Sequence, residues 1–451
     1  MPPSKLSIGV RLQKFCRTVI REYARIGLGH PILFSFLTAG CARKAVALVT
    51  TRPVEIDTIR ATRQLLVDVS EIVKRDAGTG IQRVVRNVLI QLLRNPPCGY
   101  EIRPVYASRH ECYRYAEQYR AALLAQDYDH ENSDLPIETH HGDVFFGLDL
   151  AAHLLPHHHR ALGQWKSDGV KLFFLMHDLL PVRRPEWFNP KRHRTFHRWL
   201  RTLAIYSDSV LCVSKTTADD LEKWLIEQYG IGTESLPVRS FHLGTDFFSG
   251  AQHLNQTEGE KDVMPQLQER HCIMMVGTIE PRKGHAQALS AFEILWQQGI
   301  QVNLVIVGKT GWKVDGLISR LRQHPEAGIR LHWFENASDD LLQQLYSRTD
   351  GLLMASEAEG FGLPIIEASQ FNKPLLLRDI PVFKEVAGIG AYYFTGVDAE
   401  ALALALRNWL SLISTGRAPS SQAIKRQNWA ESTEQLIFSM GLSNRTGFHV
   451  C

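Results

Sequence analysis

From residue 64 onward, short apolar runs alternate with longer amphipathic stretches, and this alternation sets the expected fold. Leu65 to Ser70 reads as a strand and Ile81 to Leu93 as a helix. Glu101 to Tyr106 and Asp143 to Leu148 read as further strands. Leu172 to Met176 is apolar throughout and runs straight into His177-Asp178; Val210 to Val213 and Val238 to His242 complete a first set. Leu254 to Gln268 is polar and turn-rich, the composition of a linker. A second set of strands follows at Ile273, Val302 to Val307, Ile329 to Trp333, Gly351 to Ala355, Pro374 to Leu377 and Ala391 to Phe394, with helical patterns between them. Strands alternating with helices predict parallel sheets covered on both faces. The expected class is therefore α/β, with two Rossmann-like domains at 61–253 and 271–438 facing across a cleft, a linker at 254–270 and a tail at 439–451. In open sheets of this kind, ligands bind outside the carboxyl ends of the strands.

Composition adds limits. A chain of 451 residues, 44% hydrophobic, supports two or three domains with full cores. Lys plus Arg number 51 against 47 Asp plus Glu, so the charge excess typical of nucleic-acid binding is missing. The seven cysteines are odd in number and lack metal-ligand spacing, which argues for a reducing compartment and against a disulfide framework. No apolar run approaches the roughly 20 residues that span a bilayer. Residues 1–60 differ from the rest, with ten Lys or Arg against three acidic residues (Glu22, Glu55, Asp57), a net formal charge of +7. Leu12, Phe15, Val19, Tyr23 and Ile26 recur at helical spacing, interleaved with Arg11, Lys14, Arg17, Arg21 and Arg25. Such a basic helix can lie on an anionic membrane surface, pack on the protein or stay mobile.

The candidate chemistry lies in two strand-to-helix turns. Ser356 to Gly362 follows an apolar strand and precedes a helix with Pro364 at its start, so backbone N–H groups at a positive helix end are available to a phosphate. Glu359 sits in this turn and Glu367 about two helical turns further on, where both can border one cleft. A carboxylate beside a phosphate site suits sugar hydroxyls or a developing cation; an ordinary solvated Glu in such a turn reads the same. The second turn, Gly277-Thr278-Ile279-Glu280-Pro281-Arg282-Lys283-Gly284, carries two adjacent cations. They repel unless an anion lies between them, and a diphosphate fits that need, as does a plain solvated basic loop.

These turns resemble the G-T-x-x-P-R-K and E-x7-E motifs of the retaining GT-B glycosyltransferases of family 4 (glycosyl transferases group 1). Val67-Asp68-Val69-Ser70, Gly78-Thr79-Gly80-Ile81-Gln82-Arg83, His177-Asp178-Leu179-Leu180-Pro181 and Gly308-Lys309-Thr310-Gly311-Trp312 are similar to the subgroup of bacterial O-antigen and polysaccharide mannosyltransferases. The similarity covers roughly residues 64 to 438. It implies an N-terminal acceptor-side domain, a C-terminal nucleotide-sugar domain and transfer of mannose from GDP-mannose to a hydroxyl of a lipid-linked or polysaccharide glycan, as in lipopolysaccharide synthesis. It implies work at the cytoplasmic face of the inner membrane, with peripheral attachment through residues 1–60 as the matching expectation.

The same resemblance implies catalytic roles for Glu359, His177, Lys283 and Arg282. Gly80, Gly277, Thr278, Gly308, Lys309, Gly360, Phe361, Gly362, Leu363 and Glu367 join Arg282, Lys283 and Glu359 around the donor, with Glu367 on the ribose and the 308–312 and 334–337 loops near the base. By residue type alone, His177 is an ordinary core histidine at the end of an apolar strand, and Arg83 is as readily solvated as aimed at the cleft. Asp178 is expected to orient its loop, Ser214 to cap a helix beside the cleft, and His242 to Asp246 to form the turn before the linker. No metal is expected, because His153 and the run His157-His158-His159 lack ligand spacing and the cations can neutralise a diphosphate. Two other classes fit the scaffold: an epimerase or phosphorylase, and a non-catalytic glycan- or nucleotide-binding protein.

Overall fold

The computed structural model describes residues 39–50, 62–126, 134–246 and 270–442. The basic helix at Val10 to Ile26, the polar linker and the end of the tail lie outside them. Two sheets form the frame. The first contains β1 (Arg63–Asp68), β2 (Tyr100–Tyr106), β3 (Arg114–Tyr115), β4 (Val144–Gly147), β5 (Lys171–Met176), β6 (Ser209–Cys212) and β7 (Val238–Ser240), in the order β3-β2-β1-β4-β5-β6-β7. All pairs are parallel except the short β2–β3 edge. The second contains β8 (His271–Val276), β9 (Val302–Val307), β10 (Leu331–Phe334), β11 (Gly351–Met354), β12 (Leu375–Arg378) and β13 (Tyr392–Phe394), in the order β10-β9-β8-β11-β12-β13 and wholly parallel. This is the expected α/β arrangement.

Parallel strands are covered on both faces, so their apolar runs are nearly continuous, and successive residues serve opposite cores. Leu65 and Val67 pack toward Val84, Val88 and Leu92, while Leu66, Phe145 and Phe174 pack toward Trp165, Trp199 and Leu203. In the second sheet Met274 and Val305 face the first domain's side, and Ile273, Ile306 and Leu353 pack beneath Phe292, Leu295, Leu406 and Trp409. One buried cluster runs through both halves, from Val88 to Phe361, Trp429 and Leu436.

Two features go beyond the strand-and-helix pattern. The helix Ala39–Thr50 belongs to the basic N-terminal region, yet it packs on the first domain: Ala39, Ala42 and Val46 enter its core, and Arg43 donates to the carbonyls of Ser207 (2.8 Å) and Ser235 (2.6 Å). The last helix, Trp429–Ser439, follows the second sheet in sequence but packs on the first-domain helix Gly80–Arg94. The chain therefore passes between domains twice, and the two passes touch. Thr245 N–H donates to Gln427 O at 3.0 Å, Ser432 Oγ to His242 O at 2.7 Å, and Trp429 N–H to Asp246 Oδ2 at 3.4 Å. A Cβ on Gly244 would lie 2.6 Å from the backbone of Asn428, so no side chain fits there.

Candidate active site

In each sheet the strand order reverses once, between β1 and β4 and between β8 and β11, and in open sheets of this kind ligands bind outside the carboxyl ends at such a point. The turn after β8 contains a single 3-10 turn, Pro281–Lys283, ended by Gly284 in the left-handed region (φ +74°). This places Arg282 and Lys283 side by side under the turn that follows β11. The anion between them is Glu359. Its Oε2 accepts from Arg282 Nη1 at 2.5 Å and its Oε1 from Lys283 Nζ at 2.6 Å. Arg282 Nη1 also donates to Ala358 O (2.9 Å) and its Nη2 pairs with Glu280 (2.7 Å). Glu359 is almost wholly buried; burial alone would raise its pKa, but the two cations hold it at about 2. Its neighbour Glu280 is pushed up, first by burial.

The glycine turn leans on the first domain. A Cβ on Gly360 would collide with the His177 carbonyl at the end of β5, so only glycine allows this approach. The Gly360 carbonyl accepts from Ser214 Oγ at 2.7 Å and Thr217 Oγ1 at 3.1 Å. Ser214 also caps the helix Lys215–Tyr229, accepting from Thr217 N–H at 3.0 Å. Gly362 ends the turn with φ +103°, and Leu363 opens the next helix, Leu363–Gln370. His177 is buried, its Nε2 has no partner among the described residues, and burial lowers its pKa to about 4. At neutral pH it is an uncharged imidazole. Asp178, raised by burial, accepts from Leu180 N–H at 3.0 Å and so shapes its loop.

The remaining expected residues lie around this centre. Gly277 N–H donates to Val307 O and Gly308 N–H to Phe334 O, which ties together the ends of β8, β9 and β10; Thr278 follows in the same turn. Thr310 Oγ1 donates to Glu335 at 2.6 Å, joining the 308–312 and 334–337 loops. Lys309 reaches the first domain instead, donating to Ala77 O at 2.7 Å in the glycine-rich loop. A Cβ on Gly80 would meet Leu363 Cδ1 at 3.9 Å, so the two are neighbours across the cleft. Glu367 Oε2 accepts from Tyr346 OH (2.8 Å), while its Oε1 pairs with Arg83 (2.5 Å), which also pairs with Asp339 (2.6 Å). His158 bonds Ser108 O and His153 approaches Glu71. Among the described residues no group of three or more His, Cys, Asp or Glu is arranged to hold a metal.

The sequence pattern did not reveal Glu385. This second-domain carboxylate caps the first-domain helix, accepting from Lys215 N–H (2.6 Å), Thr216 N–H (2.7 Å), Thr216 Oγ1 (2.6 Å) and His242 Nε2 (3.0 Å). Burial would raise its pKa, but these donors hold it at about 2. A second contact across the cleft is aromatic: Trp312 Nε1 donates to Trp187 O at 2.8 Å and its ring lies 5.8 Å from that of Phe188.

Comparison with known proteins bears on this geometry. Residues 258–432 match the family model described as glycosyl transferases group 1. The chain is 41% identical over 380 residues to a serotype-specific mannosyltransferase, WbdA, of Escherichia coli, covering 84% of this chain and 45% of that protein. It is 26% identical over 235 residues to the O-antigen chain mannosyltransferase RfbU of Salmonella typhimurium, covering 52% of this chain and 59% of the relative. The chain thus spans about half the length of these curated relatives. Anabaena Alr3699/HepE in complex with UDP-glucose has a similar structure, with TM-score 0.57 and 15% identity, covering 84% of this chain and 99% of that one. Sucrose-phosphate synthase of Thermosynechococcus elongatus gives TM-score 0.54 at 15% identity, with 84% and 97% covered. At these identities the likeness shows the fold, and that fold is GT-B.

Proposed function

We propose, from the match of residues 258–432 to the glycosyl transferases group 1 family, that the chain transfers mannose from GDP-mannose to a glycan hydroxyl in O-antigen synthesis, with retention at the anomeric carbon. The observation that supports this reading is the triad of Arg282, Lys283 and Glu359 at the strand-order reversal, with a glycine turn behind it. Departure of the nucleoside diphosphate is the difficult step, so stabilising its developing charge is the main electrostatic task. Arg282 and Lys283 serve it, exchanging part of their hold on Glu359 for the diphosphate, helped by N–H groups of the Gly360 to Leu363 turn. Glu359 then turns its charge to the sugar, where it accepts hydrogen bonds from the hydroxyls and stabilises oxocarbenium-like character. His177, uncharged, offers one hydrogen bond at the sugar.

The diphosphate has two cations and a helix end, so we propose that the reaction needs no metal. The test incubates purified protein with GDP-mannose and UDP-glucose, with and without mannoside acceptors and EDTA. Acceptor-dependent GDP release that persists in EDTA, with an α-linked product by NMR, supports the reading. Preference for UDP-glucose overturns the donor, and loss in EDTA restored by magnesium or manganese overturns the metal-free mechanism.

A further inference from the structure

Glu367, the carboxylate that the resemblance assigns to the ribose, carries a bond on each of its oxygens. Tyr346 OH holds Oε2 from a buried ring stacked on Phe371 (5.6 Å between centroids, 10° between planes). Arg83 holds Oε1. A carboxylate offers about four lone-pair positions, so one acceptor position per oxygen is left after these two bonds. Two adjacent acceptors with a fixed plane are what a vicinal diol requires. Tyr346 and Arg83 together fix that plane.

Tyr346 belongs to the second domain and Arg83 to the first. Arg83 lies one turn into the helix Gly80–Arg94, whose start is set by a capping box between Thr79 and Gln82. Gln82 also fixes the preceding loop, donating to Arg75 O (2.6 Å) and accepting from Ala77 N–H (2.8 Å). Lys309 grips Ala77 O from the opposite domain. The second branch of Arg83 is held by Asp339, at the start of the helix Asp339–Arg348 that follows the 334–337 loop. The guanidinium is thus held by two carboxylates of the other domain, with its side chain 25% exposed.

We propose that Arg83 is a positioning residue that the first domain lends to the ribose site of the second, aligning Glu367 so that the chain selects nucleotides bearing the 2′,3′-diol. This rests on the reading of Glu367 as the ribose carboxylate. Arg83 touches neither sugar nor phosphate; it orients the carboxylate that does, and only when the domains are closed.

The experiment measures affinities of the full chain for GDP and 2′,3′-dideoxy-GDP by calorimetry, in wild type, Arg83→Met and Arg83→Lys. Hydrogen bonds from a diol to a charged group give wild type a preference for GDP of about tenfold or more. Arg83→Met is expected to erase most of that preference while dideoxy-GDP binds as before, and Arg83→Lys to restore part of it. Equal weakening toward both nucleotides overturns the proposal, because Arg83 then acts on phosphate or on closure alone. An unchanged preference in Arg83→Met overturns it as well, leaving a mere ion pair between domains. A wild type that binds both nucleotides alike, or that does not bind GDP, overturns the ribose or donor reading and the proposal with it.

Discussion

Glu359 shows how a single side chain can hold two cations of a neighbouring turn together. The carboxylate is the counter-ion of both Arg282 and Lys283, which keeps two adjacent cations from repelling each other. Glu359→Gln and Lys283→Ala are each expected to lower kcat about a hundredfold or more, a loss of ~3 kcal/mol of transition-state stabilisation, read by GDP release in a protein whose circular dichroism is unchanged. The buried histidines predict an acid response. Burial lowers the pKa of His177 to about 4 and, chiefly, that of His285, which opens the helix His285–Gln297, to about 3. An unfolded histidine titrates near 6.5, so below that pH the unfolded chain takes up protons that the fold refuses. Stability should therefore fall as pH drops from about 6.5 and level off only near the folded values. His285→Leu should flatten part of that slope in urea titrations between pH 7 and 4, and because neither ring nitrogen has a hydrogen-bond partner among the described residues, it should cost little at pH 7. Residue types and spacing singled out the two turns that carry Arg282, Lys283 and Glu359, but a diphosphate was expected between the cations, where the structure has Glu359. The partner of Arg83 was not legible, because Glu367 lies 284 residues further along the chain and helical period does not connect them.

At the level of elements, the glycine turn is defined by what presses on it. Gly360→Ala would drive a methyl group into the His177 carbonyl, and overpacking of this kind costs about 1–3 kcal/mol. The expected result is a lower melting temperature together with a loss in kcat/KM beyond that of Ser214→Ala, which removes one of the two hydroxyls on the Gly360 carbonyl. If Gly360→Ala leaves both quantities unchanged, the turn does not depend on the first domain. The long central strands were readable because both faces are buried and the apolar runs are unbroken. β3 was not, since two residues at an edge give no period, and its place comes from antiparallel pairing with β2. The helix cap from Glu385 was equally hidden: the cap belongs to one domain and the helix to the other, 170 residues apart.

No helix among the described residues is long and apolar enough to cross a bilayer, and the helix Ala39–Thr50 is part of the first domain's packing. Residues 1–37, with six Lys or Arg against one acidic residue, Glu22, are the segment expected to carry an electrostatic attachment. Each cation near an anionic surface contributes on the order of 1 kcal/mol, weakened by salt. Flotation with anionic liposomes should retain the full chain at low salt and lose a chain starting at Thr38; equal behaviour of the two would remove this segment from the account. The double passage between domains has a different consequence. A single linker is a tether, and its length governs how far apart two bodies drift. Here the second passage at Gln427 to Trp429 lies stitched against the first at His242 to Asp246, so the pair acts as a joint with a fixed pin. Insertions that lengthen the stretch between residues 246 and 270 are then expected to leave the spacing and facing of the domains, and with them kcat/KM, unchanged. The same insertions between Ser421 and Trp429 would loosen the pin itself.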